Sequence, residues 1–148
     1  MGEIPLGNDS VICVLGGQYH EDYSNTSEMF SVDKNKWTVG PSLNFKRMLS
    51  TAVTVSSALY VLGGYLLDTS QIEKLEHASA DEWQIINIGG YNHFSECCLC
   101  ACSLDNRNIL VFGGTNKESD GSRKSWVINL DSNKITDAGD LPSEESFL

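Results

Sequence analysis

A short apolar run closed by two adjacent glycines occurs three times in this chain, and it constrains the fold more than any other feature. The runs are Val11-Ile12-Cys13-Val14-Leu15-Gly16-Gly17, Leu59-Tyr60-Val61-Leu62-Gly63-Gly64 and Ile109-Leu110-Val111-Phe112-Gly113-Gly114. Each is too short for a helix and rich in β-branched or aromatic residues, the pattern of a strand buried on both faces. The glycine pair supplies positive φ and lets neighbouring backbone approach closely. The first glycines lie 47 and 50 residues apart, so the unit recurs with a period of about 50.

Other landmarks recur in phase. Trp37 follows Gly17 by twenty residues, Trp83 follows Gly64 by nineteen, and Ile135 takes the matching place after Gly114. Strands are predicted between these marks over 28–32, 71–76 and 124–130. Turn chemistry follows each of them, at Asp33-Lys34-Asn35-Lys36, Ser79-Ala80-Asp81-Glu82 and Asp131-Ser132-Asn133-Lys134. Upstream of the second and third glycine pairs, further strands are predicted over 49–55 and 98–104. The corresponding segment of the first repeat, 2–8, is weak, and its Pro5 suits only an edge. No segment reads as a helix.

The double glycine, the later tryptophan and the period together make the chain resemble the kelch-repeat family, from about Ser10 to Pro142. The resemblance implies one four-stranded antiparallel blade per repeat. The expected fold is therefore all-β: a kelch-type β-propeller of three blades, with the ring incomplete. The repeats fall at about 1–47, 48–96 and 97–142, leaving 143–148 as a linker to a missing blade. Departures from the pattern are Ile135 in place of tryptophan, the weak first strand, and an out-of-phase Gly89-Gly90 read as a loop between blades. Closed propellers carry 4–8 blades. Three blades read best as part of a longer propeller, with a homodimer completing a six-bladed ring and an open arc as the alternatives.

Composition narrows the partners. The net charge of −10 repels phosphate, which argues against nucleic acid and anionic membrane. No apolar run reaches the roughly 18 residues of a membrane span, and the N-terminus lacks a secretory pattern. The expected location is cytoplasmic, so the glycosylation patterns at Asn8 and Asn25 read as chance. The five cysteines, Cys13, Cys97, Cys98, Cys100 and Cys102, are odd in number and mostly crowded, which fits a reducing compartment. Cys98, Cys100 and Cys102 alternate along one predicted strand and therefore share a face. Parallel side chains at that spacing do not converge on a metal, so they read as small core hydrophobes; metal or redox use is the alternative.

No catalytic motif is present, and His20, His77 and His93 fall at different phases of the repeat. The expected function is a non-enzymatic protein–protein interaction module without a cofactor, binding a protein or peptide through blade-rim loops. It would serve in a ubiquitin-ligase adaptor or a cytoskeletal scaffold. Kelch-type propellers also include a copper oxidase and a sialic acid isomerase, so an enzyme on the same fold is one alternative, and a non-functional piece of a longer kelch protein is another. The family resemblance places Arg47 on the rim, where arginine would grip acidic peptides; an exposed loop arginine is the plainer reading. The loops after the glycine pairs add Tyr19, His20, Tyr23, Tyr65, Thr115 and Asn116 as partner-binding candidates. Gly16, Gly17, Trp37, Gly63, Gly64, Trp83, Gly113 and Gly114 are the structural motif.

Overall fold

The computed structural model describes residues 1–6, 9–65, 71–89, 98–115 and 121–142. These residues form three four-stranded antiparallel sheets and one small hairpin, with no helix. The first blade holds β1 (Gly2–Leu6), β2 (Asp9–Leu15), β5 (Ser27–Ser31) and β6 (Lys36–Val39), in that order. Between its second and third strands sits a hairpin of β3 (Gln18–Tyr19) and β4 (Asp22–Tyr23). The second blade holds β7 (Thr51–Val55), β8 (Ala58–Leu62), β9 (Ile72–Leu75) and β10 (Gln84–Ile86). The third holds β11 (Cys100–Ser103), β12 (Asn108–Phe112), β13 (Lys124–Asn129) and β14 (Lys134–Asp140).

Each blade is the meander expected from the repeat, because each turn has the chemistry it needs. All six glycines of the three pairs take positive φ, from 58° at Gly16 to 120° at Gly64. Ser56 and Ser57, at 49° and 74°, make the two-residue left-handed turn that joins β7 to β8. Asn35 and Asn133 take positive φ at matching places in blades one and three. The weakly patterned first strand does form. It pairs along its length with β2, from Gly2 opposite Cys13 to Leu6 opposite Asp9, at the sheet edge where Pro5 is tolerated.

The inner strand β7 touches both β1 and β11, so the first strands of the blades line a common side. Two cores lie between the sheets. One joins Ile4, Val11, Cys13 and Met29 of the first blade to Leu59, Val61, Leu75 and Trp83 of the second. The other joins Val53, Tyr60, Leu62 and Ile72 of the second blade to Ile109, Val111 and Ile128 of the third. Strand β8 therefore has both faces covered, and every residue in it is buried. Strand β12 instead alternates, with Ile109 and Val111 buried and Leu110 and Phe112 only partly so. Strand β2 does likewise, with Ile12 and Val14 half-covered beside buried Val11 and Cys13. The three runs look alike in sequence, but among the described residues only the middle one has a sheet on each side.

Candidate binding rim

The loop after the first glycine pair, Tyr65 after the second, and Cys98 ahead of β11 lie beside the linker from the first blade to the second. Four backbone hydrogen bonds fix this arrangement. Gly17 N donates to Arg47 O at 2.8 Å, Arg47 N to Ser24 O at 3.0 Å, Tyr65 N to Met48 O at 2.8 Å and Cys98 N to Leu49 O at 3.0 Å. Three residues, 47–49, thus carry contacts to all three repeats. Leu49 holds φ 55° while remaining 53% exposed, and Cys98 holds 59°. Positive φ is costly for a leucine, and here the surrounding backbone bonds sustain it.

On this ledge the structure presents aromatic surface. Tyr19 is 77% exposed at the tip of the β3–β4 hairpin, and its ring meets His20 edge-on with centroids 4.4 Å apart. His20 has φ 53°, and its carbonyl accepts a 2.8 Å bond from Gln18 Nε2, which closes the tip. Tyr23 is half-buried on β4 and Tyr65 is 42% exposed after its glycine pair. Thr115 is half-buried at the start of the third loop, whereas Asn116 lies outside the described residues. The hairpin was not legible in the sequence, because two-residue strands carry too little pattern to show a period.

Arg47 corrects the expectation of a rim arginine, and also the plainer one of an exposed loop residue. It is fully buried. Its Nε donates to Glu73 Oε1 at 2.9 Å, one terminal nitrogen to Gly63 O at 2.7 Å and the other to Gln71 O at 2.5 Å. The guanidinium also lies 5.8 Å from the centre of the Phe45 ring. Every arm of the planar fork is committed inside the protein, so none is left for an acidic peptide. The physical reason is Glu73, a carboxylate on β9 that faces the first core and is itself fully buried. A buried carboxylate requires a counter-charge, and the linker delivers it.

The rest of the linker supports that pair. Asn44 N and Nδ2 donate to Glu73 Oε2 at 2.6 and 2.8 Å, and Nδ2 also reaches Trp83 O at 2.8 Å. Trp83 Nε1 donates to Pro41 O at 3.0 Å. Asn25 clasps Leu43 from the first blade through Leu43 N to Asn25 O at 2.7 Å and Asn25 Nδ2 to Leu43 O at 2.9 Å. Residues 41–47 are therefore a clamp between two blades. With Arg47 withdrawn into it, the first loop keeps exposed Glu21 and Asp22 beside its tyrosines, while Lys46 is exposed on the linker.

The cysteines divide by position. Cys13 is buried in the first core, and burial pushes its thiol up to about 11. Cys100 and Cys102 share a face of β11 across from Phe112 and Leu110, with Cys102 exposed, so these two lie on the outer face of the third blade instead of inside it, while Cys98 is half-buried ahead of the strand. Cys97 lies outside the described residues. Among the described residues, no three His, Cys, Asp or Glu side chains gather as metal ligands.

Residues 9–44 match a family model described as the Kelch motif. The matched stretch starts with β2, runs through β5 and β6, and ends inside the clamp at Asn44. The other two sheets repeat its strand order, its positive-φ glycine pair and its antiparallel register. Residues 9–44 therefore carry a kelch motif, and it supplies strands β2 to β6 of the first of three four-stranded blades.

Proposed function

We propose that this chain is a protein-interaction module that takes its partner on the rim formed by the loops after the glycine pairs. The observation that carries this reading is the aromatic surface of Tyr19 and Tyr65, held out on backbone fixed by the 47–49 ledge. Exposed tyrosines on a rigid frame supply contact area at low entropic cost. His20 meets the Tyr19 ring and Tyr23 lies on the paired strand of the same hairpin. Because Arg47 is consumed internally and Glu21 and Asp22 stand exposed, the rim suits a partner segment with basic and apolar residues better than an acidic one. Service in a ubiquitin-ligase adaptor or a cytoskeletal scaffold is the setting we propose for such a rim. The kelch motif over residues 9–44 supports the general class.

The test is partner recovery by affinity capture and quantitative mass spectrometry with the wild type, Tyr19→Ala and Tyr65→Ala. Both residues are exposed enough for the variants to stay within about 0.5 kcal/mol of wild-type stability. Loss of the same recovered proteins in both variants is expected. Unchanged recovery from both would sink the proposal.

A further inference from the structure

Among the described residues, seven non-glycines hold positive φ, and six of them suit it. Asn35 and Asn133 sit in hairpin turns, Ser56 and Ser57 join β7 to β8, His20 closes the tip of the first loop, and Cys98 is small. Leu49, at φ 55°, is the one large aliphatic residue in the set. Left-handed backbone drives Cβ against the carbonyl oxygen, and only glycine or a short polar side chain takes it at little cost.

The fold imposes the backbone at this place but not the leucine. Thr51 opens β7 opposite Leu62, and Cys100 opens β11 opposite Phe112, each partner being followed directly by its glycine pair. Leu49 and Cys98 therefore hold the same place, two residues ahead of an inner strand, and both are left-handed. Glycine would serve there without strain. Leu49 gains little inside the protein in return, since it is 53% exposed and joins neither core among the described residues. It leads into the middle blade, which has a sheet on each side, so its exposure is not that of an uncovered blade face.

Given the rim proposed above, on which this assignment rests, we infer that Leu49 is its apolar anchor, held out to receive an apolar side chain of the partner that is flanked by cations. Tyr65 N bonds to the carbonyl of Met48, the residue before Leu49, and Gly17, two residues before Tyr19, bonds to that of Arg47. Leu49 thus stands on the backbone that fixes both exposed tyrosines. The exposed charges on the same loop and linker are Glu21 and Asp22 against Lys46, which favours cations beside the apolar contact. Because Leu49 O and Met48 O are both bonded, this backbone loses little freedom when a partner arrives. Strain kept in the free protein for a contact made outside it trades stability for binding.

The experiment compares urea midpoints and peptide binding for the full chain and its Leu49→Gly, Leu49→Ala and Leu49→Met variants. The probe is the capped hexapeptide Ser-Lys-Phe-Leu-Lys-Ser, followed by the heat of binding and the Leu49 methyl resonances. Ser-Lys-Ser-Ser-Lys-Ser and Ser-Glu-Phe-Leu-Glu-Ser are its controls. Glycine and alanine both remove the leucine side chain, but only glycine relieves the backbone, so Leu49→Gly should unfold at higher urea than Leu49→Ala. Binding should ignore that difference: both variants should bind the probe at least tenfold more weakly than wild type, while Leu49→Met stays within threefold. Each control should bind wild type at least tenfold more weakly than the probe. A glycine variant less stable than the alanine one, undiminished binding to either, no saturation up to millimolar probe, or equal binding of a control would each overturn the proposal. Normal binding to Leu49→Gly alongside lost binding to Tyr19→Ala and Tyr65→Ala would remove the anchor and leave the rim. Normal binding to all three would remove the rim as well.

Discussion

Arg47 and Glu73 meet at 2.9 Å with both side chains closed off from solvent, and the pair joins the linker before blade two to that blade's third strand. Removing the arginine leaves a carboxylate that water cannot reach. Arg47→Ala is expected to cost about 3–5 kcal/mol, read as a lower urea midpoint. Replacing both partners, as in Arg47→Met with Glu73→Leu, is not expected to restore stability. The carbonyls of Gly63 and Gln71 and the N–H of Asn44 would then lose their partners as well. A double variant as stable as wild type would show the pair to be dispensable.

Gly16 is held by more than its φ of 58°. A Cβ added there would run into the carbonyl oxygen of Arg47, which is backbone and cannot rotate aside. At Gly113, φ is 68° but the nearest atom to an added Cβ is Ser122 O at 4.0 Å. Gly113→Ala should therefore cost the left-handed penalty alone, about 1–2 kcal/mol. Gly16→Ala should cost clearly more, because it also displaces the ledge. Equal denaturation midpoints for the two variants would contradict this.

The two equivalent tryptophans should behave differently. Trp83→Ala removes a ring from the first core and a hydrogen bond to Pro41, and should cost about 3–5 kcal/mol. Trp37 is 52% exposed and meets the Phe30 ring at 5.1 Å between ring centres, and its replacement should cost about 1 kcal/mol or less. Iodide quenching should fall when Trp37 is replaced by Phe and stay unchanged when Trp83 is. Quenching that follows Trp83 instead would show the exposures to be reversed.

The thiols should separate by alkylation. Cys102 is exposed and should react first under native conditions, whereas Cys13 should react only on unfolding. The Cys13 pKa rises from 9.0 unfolded to about 11 folded because burial disfavours the thiolate. Its native state keeps the proton longer, so the contribution is fully present below pH 9.0 and is lost as pH rises through about 11. Wild type should lose more stability across that window than Cys13→Val. Parallel pH curves for the two would refute the assignment.

What could be read in the sequence was whatever repeats locally. The glycine pairs, the apolar runs and the asparagine turns each settle their own backbone, so most strands could be placed from them, while their order in a four-stranded blade was what the kelch resemblance implied. The fate of Arg47 was not local. It depends on Glu73, 26 residues later, and on Asn44 closing the carboxylate's second oxygen. One signal was present: Glu73 stands in a strand between Ile72 and Leu75, where the period places it on a core face. The open faces were hidden for the opposite reason. Ile12 and Val14 are as apolar as Leu59 and Val61, and an apolar run does not say whether a neighbour has arrived.

The clamp lies before the first strand of the blade it completes. Residues 40–47 cover Trp83 and neutralise Glu73, although they leave from the end of β6. A block cut out after Arg47 would carry an orphaned carboxylate and a bare indole into any new setting. One that begins at Gly40 brings its own counter-ion and its own lid. For grafting, duplicating or permuting these blades, the natural seam is therefore set by charge and not by the boundary between strands.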